Sequence, residues 1–184
     1  VWLPGQNRYR VTGEGYGTAG ELQLTRGLAG GQPWEKGTTP YSTEGQIKSA
    51  GGAKIDLEQV MLAMALCADA RLDGEALIGD PTEGALIVLA EKGGISVDGA
   101  REMYPRVAEV PFDSDYKFMA TFHNLQNEQG RPVVRAFVKG APDVLIARSG
   151  YYWMPGEDDR PVTDENRKLA LEENERIAKA GERV

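Results

Sequence analysis

The run Phe137-Val138-Lys139-Gly140-Ala141-Pro142 holds the residue types best suited to ligand chemistry in this chain. A β-rich segment ends in a lysine, and Gly-Ala-Pro then turns the backbone. One cation therefore stands at a strand end, beside a glycine that lets a ligand approach closely. Lys139 reads as a point-charge phosphate contact or as an edge-strand lysine, and Gly140 favours the first, because a side chain there would crowd a ligand. A second segment, Pro111-Phe112-Asp113-Ser114-Asp115-Tyr116-Lys117-Phe118-Met119, sets a phenylalanine between a strand and a polar turn. Phe112 reads as core or as a face on which a planar base stacks, an interaction worth about 1–3 kcal/mol. Lys117, at the start of the next strand, has the same two readings as Lys139. The third segment is Gly79-Asp80-Pro81-Thr82-Glu83-Gly84-Ala85-Leu86. Asp80 can cap a helix, Pro81 suits its first position and Glu83 sits where a capping-box partner belongs. A carboxylate at a helix start can also accept a hydrogen bond from an exocyclic amine, which adenine has and guanine lacks at that position.

Other chemistries are excluded. No Gly-x-x-x-x-Gly-Lys-Ser/Thr loop occurs, no Cys/His cluster offers a zinc site, and no Gly-x-Ser-x-Gly elbow is present. The lone histidine, His123, lies in a strand pattern and reads as structural, so an autonomous hydrolase lacks its nucleophile–base pair. No residue is assigned a catalytic or metal-binding role. The net charge of −7 argues against nucleic acid and other large polyanions, although two or three local cations can still hold a phosphate group. Cys67 is the single cysteine, which excludes an internal disulfide and fits a reducing compartment. The longest apolar run, Val60 to Ala68, is too short to span a membrane, and the chain is expected to be soluble and monomeric.

The elements that must position these residues follow from hydrophobic period. Tyr9 to Thr12 reads as a short strand, followed by glycines at 13, 15, 17 and 20, and residues 27–52 as a flexible surface loop. Leu57, Val60, Met61 and Met64 recur at helical spacing, with Asp56 and Gln59 as a capping box and an end near Cys67 to Asp69. Asp80 starts a second helix that Gly93-Gly94 stops, and a third covers Val97 to Tyr104. The period then changes to two over Val107–Val110, Lys117–His123 and Val133–Lys139, the last two joined as an antiparallel hairpin. Pro142 opens a short helix through Ile146, and Tyr151 to Pro161 is a loop or short hairpin. Thr163 caps a charged helix with i,i+4 pairs Glu172–Arg176 and Glu175–Lys179, which Gly181 ends. The fold class is α+β, an antiparallel β-sheet flanked by helices, in one domain over 1–184.

Taken together, the three segments resemble the nucleotide-binding domain of P-type cation-transporting ATPases, most closely the calcium-pump and related bacterial cation-pump branch. Tyr9-Arg10-Val11-Thr12-Gly13-Glu14-Gly15-Tyr16, Leu66-Cys67-Ala68-Asp69 and Gly181-Glu182-Arg183-Val184 extend the likeness over nearly the whole chain, with Ala68 where an asparagine is usual. The resemblance implies that Phe112 stacks on adenine and Glu83 faces the adenine amino group, with Asp80 and Thr82 beside it. It implies that Lys117 and Lys139 line the pocket, Lys117 nearer the phosphates, that Gly140 forms the floor and that Arg183 reaches the ribose or phosphate end. Phe118, where a small or basic residue is common, and the charges of Asp113 and Asp115 depart from the pattern and are expected to weaken phosphate binding.

No Asp-Lys pair occurs, so the Asp-Lys-Thr-Gly-Thr acceptor motif is missing and this chain cannot form a phosphoenzyme. It reads as a piece excised from the cytoplasmic side of an integral membrane pump. The function implied is to bind ATP and present its γ-phosphate to the phosphorylation domain of the same parent chain, with the actuator domain as a further partner and Mg2+ held outside this piece. The alternative is a degenerate protein-interaction or regulatory module on the same scaffold, supported by the acidic surface and the long loop.

Overall fold

The structure, a computed structural model, describes residues 2–3, 7–11, 22–26, 57–73, 76–127, 129–153, 158–181 and 184. The 27–52 loop, the glycines at 13, 15, 17 and 20, Asp56 and Arg183 lie outside these residues. The chain forms two compact units, Val1–Pro105 and Arg106–Val184. The fold is α+β, and all of the strand pairs among the described residues are antiparallel.

In the first unit, β1 (Trp2–Leu3), β2 (Asn7–Val11) and β3 (Leu22–Arg26) form a three-stranded sheet in that order. The core is helical. Helix α1 (Glu58–Leu66) buries Met61, Leu62, Ala65 and Leu66. Helix α2 (Pro81–Lys92) adds Ile87, Val88 and Ala90, and α3 (Val97–Met103) adds Val97 and Ala100. Large side chains buried this fully, such as Met61, Leu66 and Ile87, each stabilise the fold by roughly 1.5–3 kcal/mol. The N-cap of α1 is Leu57, which has no capping side chain, so the expected start moves inward by a residue. Arg101 of α3 supplies what the other end of α1 needs: its guanidinium donates to the carbonyls of Ala65 (3.2 Å) and Ala68 (2.8 Å). Between α1 and α2 runs a hairpin of β4 (Arg71–Asp73) and β5 (Ala76–Ile78) that hydrophobic period alone does not reveal.

The second unit is built on a meander of β6 (Arg106–Asp113), β7 (Phe118–Gln126) and β8 (Pro132–Gly140), with β7 central. The three expected strands are present, each longer than its alternating pattern. Thr121 and His123 of β7 are buried, and the His123 ring meets Phe137 of β8 edge-on at 5.7 Å, as a structural histidine would. Helix α4 (Pro142–Arg148) follows, then the short pair β9 (Tyr151–Tyr152) and β10 (Arg160–Pro161), then α5 (Asp164–Lys179). Thr163 and Asn166 form a full capping box at the start of α5, and Gly181, at φ 81°, follows its end. Arg167 ties α5 to α4 by donating to the carbonyls of Ile146 and Ser149. Of the two expected ion pairs on α5, Glu175–Lys179 forms at 3.4 Å. Arg176 instead grips the buried Glu173 with two hydrogen bonds of 2.9 and 2.7 Å, and Glu172 pairs with Lys168 at 3.8 Å. No helix among the described residues is long and apolar enough to cross a membrane.

Candidate nucleotide-binding site

Four of the sequence-predicted residues belong to the β6–β7–β8 meander: Phe112, Lys117, Lys139 and Gly140. Their placement begins with a bulge. Val110 pairs with Ala120, and the next pair is Asp113 with Phe118. Three steps on β6 thus match two on β7, and one extra residue is accommodated on β6. Simple alternation from Val110 would put Phe112 on the side of Val110 and Ala120. The bulge instead sets Pro111 and Phe112 together against Met119, whose partner on β8 is Lys139. Phe112, Met119 and Lys139 therefore form one row across the sheet by register. Proline at this point costs no ladder bond, because bulges on edge strands are where a sheet tolerates it. Phe112 is 64% exposed, which decides against the core reading: this ring contributes no packing that would account for it.

The turn from β6 to β7 is held by Asp113. Its Oδ1 accepts the backbone N–H of Asp115 (2.8 Å) and of Tyr116 (3.0 Å), and its carbonyl accepts that of Lys117 (2.7 Å). Lys117 takes φ 60°, and among the described residues no other non-glycine has a positive φ. That left-handed conformation costs an L-residue roughly 1–2 kcal/mol. The Lys117 carbonyl in turn accepts the N–H of Ala141 at 2.9 Å, so the residue is fixed on both sides. The carboxylate of Asp113 is thus engaged with backbone donors, which changes its expected role as a mere opposing charge.

Gly140 pairs directly with Phe118. A Cβ added there would lie 2.6 Å from Phe118 Cβ and 2.7 Å from Phe118 Cα, and would run into the Lys117 carbonyl oxygen. The close approach that this glycine permits is that of the chain's own backbone, a reason the sequence reading did not supply. The Phe118 ring has its own neighbours, the Arg148 guanidinium 5.1 Å from its centroid and the Tyr116 ring at 6.2 Å.

Asp80, Thr82 and Glu83 belong to the first unit, at the start of α2. Asp80 caps the helix by accepting the N–H of Thr82 (2.8 Å) and of Glu83 (3.2 Å). Glu83 is turned to the preceding segment: its Oε2 accepts the N–H of Asp69 (2.8 Å) and of Ala70 (2.9 Å). Gly79 completes this tight junction, with φ 124° and a position where a Cβ would lie 2.9 Å from Ala70 Cα. The Asp80 carboxylate satisfies two of the helix's N–H donors, and the charges of Asp80 and Glu83 both complement its dipole, so this end is no open anion site. Lys92, in the last turn of α2, is 7% exposed, and burial lowers its pKa from 10.5. The residues that sequence reasoning missed are Asp113, as the cap of the turn, and Met119, in the row between Phe112 and Lys139. The signals available were an aspartate opening a polar turn and a proline inside an otherwise strand-like run.

Comparison with known proteins adds an independent observation. The family profile of the P-type ATPase cytoplasmic domain N matches residues 56–184. The cation-transporting ATPase pma1 of Synechocystis sp. is 34% identical over 184 residues, an alignment taking in 91% of this chain and 19% of that protein. A calcium-transporting ATPase of Listeria monocytogenes is 37% identical over 120 residues, 65% of this chain and 13% of the relative. The calcium-transporting ATPase type 2C member 1 of Mus musculus is 38% identical over 128 residues, 70% of this chain and 14% of the relative. The chain thus spans less than a fifth of the length of the curated relatives it matches.

Proposed function

The chain belongs to the family of P-type ATPase cytoplasmic N domains, and from that premise we propose that it binds ATP by stacking adenine on Phe112. Lys139, two strands away in the same row by register, and Lys117, on the connecting turn, supply positive charge, with Lys117 nearer the phosphates. The observation that carries this reading is the Phe112 ring, 64% exposed on the edge strand and set in the row of Lys139 by the bulge at Pro111-Phe112. A phenylalanine held this exposed leaves apolar surface in water, and a planar base stacked on it would cover that surface.

In this reading the adenosine end is anchored and the γ-phosphate projects outward, to be handed to a phosphorylation domain elsewhere in a longer membrane-embedded cation pump. The Mg2+ that accompanies ATP takes its ligands from the phosphates and from groups beyond this chain. The nucleophilic carboxylate also lies beyond it, since the acceptor motif is absent from these residues. Affinity in isolation is then weak, on the order of 0.1–1 mM, because half of the phosphate contacts reside elsewhere.

The test is an amide NMR titration with ATP, GTP and AMP, on the 184-residue chain and on Phe112→Ala. Adenine nucleotides should shift the resonances of Phe112, Met119, Lys139 and the 113–117 turn, and GTP should do so more weakly. Loss of about 1–3 kcal/mol of stacking weakens ATP by roughly 5- to 150-fold in Phe112→Ala, with the remaining spectrum unchanged. Undiminished ATP binding by that variant refutes the assignment.

A further inference from the structure

We propose that Asp113 is a positioning residue for nucleotide phosphate, acting through Lys117. The proposal deepens the preceding reading and rests on its placing Lys117 at the phosphates. Charge alone predicts the opposite effect: a carboxylate four residues before the phosphate-binding lysine repels the ligand, so removing it should tighten binding. The hydrogen bonds argue otherwise. Asp113 Oδ1 gathers the N–H groups of Asp115 and Tyr116, and the Asp113 carbonyl takes that of Lys117, so three bonds from one residue close the turn. Two of the three depend on the side chain.

What they hold is a conformation that Lys117 would otherwise leave. At φ 60° its Cα–Cβ bond leaves the backbone in a direction that an extended lysine does not share. Ala141, which follows the glycine that fits against Lys117 and Phe118, fixes the other side through its N–H. The two lysine-bearing motifs are therefore one clamp, with Lys117 as the shared part. If the Asp113 cap is lost, the turn samples other states, and the apparent affinity falls by the fraction of molecules in which Lys117 still points correctly.

The experiment compares ATP and adenosine dissociation constants for the wild-type chain, Asp113→Ala, Asp113→Asn, Lys117→Ala and the Asp113→Ala/Lys117→Ala double variant. The proposal expects Asp113→Ala to weaken ATP by about 3- to 10-fold and to leave adenosine unchanged. Asn retains an oxygen acceptor without the charge, so Asp113→Asn should stay within about twofold of wild type. In the Lys117→Ala background, Asp113→Ala should have no further effect on ATP. Tighter or unchanged ATP binding by Asp113→Ala overturns the proposal in favour of simple repulsion. An equal loss for adenosine, or a further loss in the double variant, overturns it in favour of general disruption of the hairpin. ATP binding that Lys117→Ala leaves untouched overturns the phosphate role of Lys117 itself, a failure distinct from the other two.

Discussion

Replacing Gly140 with alanine separates two explanations for this glycine. If it keeps a ligand's path clear, Gly140→Ala lowers nucleotide affinity and leaves stability alone. If it lets β8 lie against the Lys117–Phe118 backbone, stability falls first. The added methyl would sit 2.6–2.7 Å from Phe118 Cβ and Cα, whereas carbon atoms rest about 3.5–4.0 Å apart. Relief requires roughly a 1 Å displacement of backbone. Overpacking of this kind costs about 1–3 kcal/mol. A displacement of that size also breaks the Ala141 N–H to Lys117 carbonyl bond, now 2.9 Å, at a net cost of about 0.5–1.5 kcal/mol. Against this, alanine lowers the entropy of the unfolded chain, which returns about 0.4–1 kcal/mol because Gly140 does not use a positive φ. The net loss is roughly 0.5–4 kcal/mol, or a Tm decrease of about 1–16 °C for a chain of this size. Urea and thermal unfolding measure it, with Gly150→Ala as the control. Gly150 has open space around its Cβ direction and no positive φ, so its alanine variant should be neutral or slightly stabilising. Equal stability of the two variants refutes the backbone-packing argument.

Two further perturbations test the first unit. Glu83→Ala removes the acceptor of the Asp69 and Ala70 N–H groups and should cost about 1–3 kcal/mol, with faster hydrogen exchange at the fully buried Ala70. Unaltered protection at Ala70 would show that Glu83 does not hold this junction. Lys92→Met tests the pH dependence that burial of the ammonium imposes. The folded pKa lies below 10.5, so the unfolded chain binds more protons between the folded value and 10.5, and wild-type stability rises with pH across that window. The stability of the wild type relative to Lys92→Met should therefore rise as pH approaches 10.5, and a difference that does not change with pH across that window contradicts the account.

Where the sequence was legible, the governing interactions were local. Asp80-Pro81 opened α2 and Thr163 capped α5 because a cap needs only its own first turn. The change of period from helical to two located the meander, and Glu175–Lys179 paired as its spacing on an exposed helix face predicts. Where a residue had a choice between a local and a distant partner, spacing was not enough. Glu83 occupies a capping-box position, yet its Oε2 is taken by two N–H groups thirteen and fourteen residues away. Arg176 had Glu172 at the favoured spacing, yet it forks onto Glu173, where burial makes a two-pronged, charge-assisted bond stronger than an exposed pair.

The site shows the same division. The identities of Phe112, Lys117, Lys139 and Gly140 were readable from residue type, but what each does to the backbone was not. Pro111 looked like the end of a strand, and β6 in fact continues to Asp113 because the bulge absorbs it. That continuation keeps Phe112 on an edge strand whose residues from Val107 to Asp113 are all exposed, and so outside the core. It also brings Asp113 to the point where its carboxylate can fold the turn and hold Lys117 in a conformation that lysine does not prefer. A hairpin with an uninterrupted alternation and a glycine in place of Lys117 would be easier to fold. The bulge and the strained lysine are departures from that simpler hairpin, and both fall on residues proposed to meet the nucleotide. Strain concentrated there is what a site built for ligand orientation requires, while a module that had lost its ligand would have no such reason to keep it.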